Sequence, residues 1–160
     1  MVDECIERDV YFKHPCRDLA LTDEAIRFRY RACRSGRYTL LTYKGPRVEK
    51  SSLVKTRLEV EVYLPLNQAS KLLSLLEHIG VTPLTAFTKK RRLYRGEGMT
   101  AYIDELVGVG LFLEVELEDA VPTVSLSSIV NRLSGIVEPV EKTYLEICLE
   151  TGRCVDQPVE

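Results

Sequence analysis

Seven short segments of this chain alternate apolar with charged or polar side chains, and that period of two limits the fold more than any other feature. They are 25–31 (AIRFRYR), 38–44 (YTLLTYK), 57–63 (RLEVEVY), 89–95 (KKRRLYR), 100–105 (TAYIDE), 111–118 (LFLEVELE) and 142–149 (KTYLEICL). Successive side chains of a strand point to opposite faces, so each segment predicts a strand with one apolar and one charged side. Arg27, Arg29 and Arg31 oppose Ile26, Phe28 and Tyr30, and Arg57, Glu59 and Glu61 oppose Leu58, Val60 and Val62. Glu114, Glu116 and Glu118 share one face against Leu113, Val115 and Leu117, while Lys89 pairs in parity with Arg91, Tyr102 with Asp104, and Lys142 with Glu146.

Two stretches change period. Leu66, Ala69, Leu72, Leu73, Leu76 and Ile79 follow helical spacing and predict a helix over 66–79, ended by Gly80. Leu126, Ile129, Val130 and Leu133 predict a shorter helix over 125–134, before Gly135. The order E-x-E strand, helix, glycine, tyrosine-bearing strand therefore occurs twice, from Glu59 to Tyr94 and from Glu114 to Tyr144. The opening RDVYF (8–12) reads as the last part of a third such unit, so the chain is expected to begin in the middle of a repeat. Ser35-Gly36, Gly45-Pro46 and Gly96 to Gly98 read as turns.

Length and charge narrow the class. With 160 residues the chain is expected to form one domain over 1–160. Its 22 basic and 24 acidic side chains leave a formal net charge of −2, which gives no reason to expect nucleic acid or an anionic membrane as partner. No apolar run approaches the roughly 20 residues needed to span a bilayer, and a soluble, cytoplasmic protein is expected. The five cysteines (Cys5, Cys16, Cys33, Cys148, Cys154) form no C-x-x-C pair and are odd in number. They predict small buried side chains rather than a disulfide framework or zinc site. His14 and His78 have no second histidine or cysteine at ligand spacing and are expected to serve surface or cap roles.

An open antiparallel sheet with one wet face would produce the same alternation. Here, however, the charged faces carry Arg and Glu in paired positions, and two apolar-striped helices need a surface to cover. If they cover the apolar faces, the charged faces look inward across a closed or nearly closed sheet. Arginine forks and lysine charges suit polyphosphate oxygens, and clustered carboxylates suit Mg²⁺ or Mn²⁺, so Glu114 and Glu116 can share a face if a metal lies between them. A metal-free network of salt bridges would use the same residues.

The runs DVYFKHPCRDLALTDEAIRFR (9–29), YKGP (43–46), TRLEVEV (56–62), TKKRRLYR (88–95), YIDELVGVGLFLEVE (102–116) and TYLEI (143–147) resemble, in this order, the CYTH family of class IV adenylate cyclases and thiamine or inorganic triphosphatases. The resemblance implies an α+β fold: an antiparallel eight-stranded β-barrel, the triphosphate tunnel, with helices packed outside. By matching position it implies phosphate binding by Arg27, Arg29, Lys44, Arg57, Lys89 and Arg91, and metal binding (Mg or Mn) by Asp104, Glu114 and Glu116. Glu59 is expected to orient the basic groups. Lys142, on the expected closing strand with Tyr144, is the candidate catalytic residue.

The family's E-x-E-x-K strand is absent from the N-terminus, where Glu4 and Glu7 have neither its spacing nor its alternation. One barrel strand is therefore expected to be missing, encoded upstream of Met1. The resemblance implies action on ATP or another triphosphate, as a cyclase giving cyclic AMP and pyrophosphate or as a triphosphate hydrolase. Because the missing strand carries metal ligands and a lysine, a noncatalytic nucleotide or polyphosphate binder is the alternative. An exposed barrel seam would also favour a homodimer.

Overall fold

The computed structural model describes residues 1–48, 56–96, 98–117 and 126–159. Seven strands, β1 (Asp3–Lys13), β2 (Ala25–Cys33), β3 (Gly36–Lys44), β4 (Glu59–Leu64), β5 (Thr82–Gly96), β6 (Met99–Leu106) and β7 (Gly110–Leu117), form one sheet. Its order is β4-β3-β2-β1-β5-β6-β7, with every neighbouring pair antiparallel. Three helices, α1 (Ala69–His78), α2 (Leu126–Leu133) and α3 (Tyr144–Thr151), complete an α+β fold. Among the described residues the sheet stays open, with β4 and β7 as its edges, so the expected eight-stranded closure is not observed. Glu118 lies outside the described residues.

The helix over 66–79 begins as a 3-10 turn at Leu66–Gln68 and continues as α1. Gly80 ends it in the left-handed region at φ 86, where the Gly80 N–H donates to the Glu77 carbonyl and the Val81 N–H to that of Leu76. These two bonds satisfy carbonyls that the last helical turn would otherwise leave open. Ala69 and Leu76 of α1 pack with Val10, Phe12, Phe28 and Val81, covering the apolar face of β1 and β2. α2 falls within the expected 125–134.

The segment expected as a strand over 142–149 is helical instead. Thr143 caps α3: its side chain accepts from the Glu146 N–H while the Glu146 carboxylate accepts from the Thr143 N–H. This reciprocal box starts a helix, and Tyr144, Leu145, Ile147 and Cys148 recur at helical spacing within it. Ile147 and Cys148 pack with Tyr11, Ala25, Phe87 and Leu106, so α3 lies on the face opposite to α1. Arg47, in the segment after β3, donates to Asp23 and, at 2.8 Å, to Glu146.

The cysteine expectation is also corrected, because Cys5 pairs with Cys33 and Cys148 with Cys154 in disulfides. Cys5 and Cys33 are direct partners in the β1–β2 register. Sequence spacing gives no view of such pairing, which arises when the two strands align. Cys16 is free and exposed. Beyond α3 the tail crosses the sheet: the Thr88 N–H donates to the Val155 carbonyl, the Val155 N–H to that of Val107, and Arg8 grips Asp156. Gly108 is required beneath it, since its φ is +87 and a Cβ there would lie 2.2 Å from the Arg153 carbonyl oxygen. No helix among the described residues is long and apolar enough to cross a membrane.

Candidate functional site

The strand registers set the charged residues side by side on one face. One row runs Glu61, Thr42, Arg27, Tyr11; the next runs Tyr63, Leu40, Arg29, Asp9, Phe87; a third runs Tyr38, Arg31, Glu7, Lys89, Leu106. Farther along, Cys33, Cys5, Arg91, Asp104 and Phe112 align, with Tyr102 beside Glu114 and Thr100 beside Glu116. Lys44 pairs with Glu59 at the β4 end. The expected residues on β2 to β7 thus lie on one surface, and Arg57 joins it through its bond to Glu59.

At the centre stands a residue that the sequence reading set aside. Glu7 is fully buried and meets Arg29 at 3.0 Å, Arg31 at 3.0 Å and Lys89 at 3.1 Å. None of the three aligns a hydrogen on it with hydrogen-bond geometry, so charge rather than directed bonding holds this carboxylate. Asp9 by contrast takes a bidentate fork from Arg29, at 2.5 and 2.7 Å. Cys5, Glu7, Asp9 and Tyr11 are the alternating positions that placed these acids on the charged face; β1 reads as non-alternating only when Glu4 is counted with them. Burial opposes the charge of Glu7, yet Arg29, Lys89, Arg91 and Arg31 hold its carboxyl well below the usual range. Burial likewise opposes ionisation of Asp9, but Arg29 and Arg27 bring it down to about 2. Desolvation lowers Lys89, against the opposing pull of Glu7.

The β4 margin is looser. Glu59 accepts from Lys44 at 2.9 Å and from Arg57 at 3.2 Å, holding both in place. Arg27 donates from Nη2 to Thr42, which donates to Glu61, but the buried Nε of Arg27 has no hydrogen-bond partner. Desolvation, with repulsion from Arg27, depresses Lys44 to about 8 despite Glu59.

On the β6–β7 side, Arg91 forks onto Asp104 at 2.8 and 2.7 Å and also reaches Glu114. Tyr144 donates to Asp104, and Tyr102 donates to Glu116 while its ring lies 4.0 Å under the Arg91 guanidinium. Burial and the Asp104 charge push the Tyr144 hydroxyl up, while desolvation and Glu116 raise Tyr102 to about 12. The Lys142 side chain is 55% exposed and pairs with Glu150. His14 accepts from the Cys16 N–H, and His78 closes on Ser74, both in local roles.

Mg²⁺ or Mn²⁺ would find hard oxygen donors in Asp104, Glu114 and Glu116, and the exposure of Glu114 and Glu116 leaves them reachable. The donor chemistry fits, although each carboxylate is presently engaged by Arg91 or a tyrosine. Among the described residues, the group of ligand atoms already within 4.8 Å of one another is Asp3, Cys5 and Cys33, whose sulfurs form the disulfide. A cavity of about 230 Å³ lined by Arg8, Tyr30, Asp156, Pro158 and Val159 touches none of the charged set.

Known proteins share this fold. A Methanocaldococcus jannaschii protein provisionally named an adenylate cyclase is 37% identical over 110 residues, covering 69% of this chain. The match spans 58% of that relative's length. The structure of the PH1819 protein from Pyrococcus horikoshii superposes with a TM-score of 0.77 at 34% identity, over 93% of this chain and 86% of that one. A Hippeastrum adenylyl cyclase-like protein, described by its dominant triphosphatase activity, shares the fold at a TM-score of 0.66 and 19% identity, over 95% of this chain and 84% of its own. The model of the CYTH domain matches residues 2–154, and the chain belongs to that family.

Proposed function

We propose that the charged face binds a triphosphate together with Mg²⁺ or Mn²⁺, and that the chain acts on it as class IV adenylate cyclases or triphosphate hydrolases do. The observation that carries this reading is Arg27, which is 94% buried by its 6% exposure yet keeps an unpartnered Nε on a face that also presents Lys44 and Arg57. A buried guanidinium donor without an acceptor costs free energy, and a phosphate oxygen would supply that acceptor. Arg29, Arg31, Lys89 and Arg91 continue the cationic surface, each now compensated by Glu7, Asp9 or Asp104. The M. jannaschii name and the described activity of the Hippeastrum protein support the same chemistry.

In this reading the arginines orient the phosphate chain and oppose the charge that develops as a phosphorus–oxygen bond breaks. A bound divalent ion would supply further neutralisation of phosphate charge, held by Asp104, Glu114 and Glu116. Against its burial, Asp104 is kept ionised by the Arg91 fork and the Lys89 charge, with Tyr144 donating as well. Attack of a ribose 3′-hydroxyl on the α-phosphorus gives cyclic AMP and pyrophosphate; attack of water on the terminal phosphorus gives orthophosphate. A catalytic role for Lys142 requires it to leave Glu150. An eighth strand seated between the open edges of β4 and β7 would complete the barrel, a second copy could use the same edges, and the proposed setting is the cytoplasm.

Incubation with ATP or tripolyphosphate and Mn²⁺, followed by separation of the products, tests the proposal. Cyclic AMP or orthophosphate whose release falls in Arg27→Ala supports it. Tight binding without product leaves a noncatalytic binder, and absence of both binding and product refutes it.

A further inference from the structure

Two tyrosines occupy the charged face with no part in its ion pairs to carboxylates. Tyr63, on the edge strand β4, is 65% exposed, and its ring centroid lies 5.5 Å from that of Tyr38 at an interplanar angle of 48°. At that tilt neither ring covers the other, so a flat face of Tyr63 stays open to a third ring. Tyr38 is fixed from behind: Arg31 Nη1 donates to its hydroxyl at 2.8 Å, and the Arg31 guanidinium lies 5.6 Å from its ring centroid. The same Arg31 meets Glu7, so the aromatic pair adjoins the charged centre directly. Along the row, Tyr63 is separated from Arg29 only by Leu40, two strand spacings or roughly 10 Å.

We propose that Tyr63, backed by Tyr38, is a stacking platform for the neutral base of a nucleoside triphosphate whose phosphates lie on the arginines. This rests on the triphosphate reading above and narrows it from any polyphosphate to nucleotides. An exposed aromatic ring beside a row of cations suits a molecule that is flat at one end and anionic at the other, with the sugar spanning Leu40. Arg31 on Tyr38 places positive charge next to the platform, which disfavours a cationic ring and leaves a neutral nucleobase as the fitting class. Inorganic tripolyphosphate would make none of these contacts.

Calorimetric titration of wild type, Tyr63→Leu and Tyr63→Phe with ATP and separately with tripolyphosphate tests the platform. Stacking on an aromatic side chain is worth about tenfold or more in affinity, so Tyr63→Leu should weaken ATP by about that factor and leave tripolyphosphate unchanged. Tyr63→Phe, which keeps the ring, should restore ATP binding. Equal loss for both ligands, or no loss for ATP, overturns the platform. If Tyr63→Leu converts a dimer to a monomer in sedimentation while ATP affinity holds, the ring is a contact between copies and the proposal fails. If wild type binds ATP in a Tyr63-dependent way but not tripolyphosphate, the platform stands and the broader phosphate reading falls; if it binds neither, both fall.

Discussion

The centre and the β4 margin of the charged face use the same chemistry to different ends. At the centre Glu7, Asp9, Arg29 and Lys89 are all buried, whereas at the margin the Glu59 side chain is 36% exposed and Glu61 34% exposed. Taking a charge out of water is costly, and only a close counter-charge offsets it. The central pairs are therefore committed to one another, and loss of one partner strands the rest. At the margin the carboxylates still reach water although the Lys44, Arg57 and Arg27 side chains are only 12%, 11% and 7% exposed, so these cations are buried without a fully committed partner. The difference teaches that a cation's availability to a ligand follows from what burial has already required of it, not from its residue type.

The sharpest way to break this contrast is to remove one carboxylate from each region. Glu7→Gln should cost about 3–5 kcal/mol of stability by leaving Arg29, Arg31 and Lys89 without their shared anion. Glu59→Gln should cost less than that, because Glu59 is itself 36% exposed and water can reach the group left behind. Urea unfolding of both variants measures this, and equal losses would erase the distinction.

Ligand binding should invert the order. Arg27→Ala is expected to weaken tripolyphosphate by about tenfold to a hundredfold, the worth of a charge-assisted hydrogen bond, while shifting the melting temperature little. Calorimetry paired with thermal melts reads both. A large melting shift with unchanged binding would place Arg27 among the structural cations.

Proton linkage separates the regions again. Asp9 is held down to about 2 by Arg29 and Arg27 against its burial, so its contribution is present above the unfolded carboxyl range and lost as pH falls from about 4 toward 2. Lys44 runs the other way: its folded value of about 8 lies below the ordinary lysine value of 10.5, so the unfolded chain binds more protons between them and this group adds stability as pH rises through that window. Its charge disappears over the same rise. Tripolyphosphate affinity should therefore fall past pH 8 more steeply in wild type than in Lys44→Met, and parallel profiles for the two proteins would contradict the assignment.

The smallest effect on stability is expected at β7. Replacing Glu114 and Glu116 together by Gln should move unfolding free energy by only about half a kcal/mol, as exposed substitutions do, while abolishing any heat on titration with Mn²⁺. Equal Mn²⁺ heats in both proteins would show that these carboxylates hold no metal.

Much of this surface was legible in the alternation itself, because parity alone puts Arg27 with Arg29, Lys89 with Arg91 and Glu114 with Glu116. What parity omits is register. The bidentate Arg29–Asp9 pair depends on which residue of β1 lies beside which residue of β2, a nonlocal choice fixed by packing. The same blindness hid the Cys5–Cys33 disulfide. In 142–149 the failure was local: Lys142, Tyr144, Glu146 alternates as a strand would, but Thr143 and Glu146 also spell a capping box, and about two turns of helical hydrogen bonds with a buried Ile147 outweigh the alternation.

The bond from Arg47 to Glu146 spans 99 positions of sequence. At a synthesis rate of roughly 5–20 residues per second, its two ends leave the ribosome roughly 5–20 s apart. Through that interval Arg47 has Asp23 to hold but no helix to close upon, and Asp104 likewise waits for the Tyr144 hydroxyl. The segment carrying α3 thus works as a late fastener: a nascent protein halted before it can align its strands yet leaves Arg47 with Asp23 alone and Asp104 without the Tyr144 donor, so fidelity of the finished face is decided by residues made after every strand of the sheet.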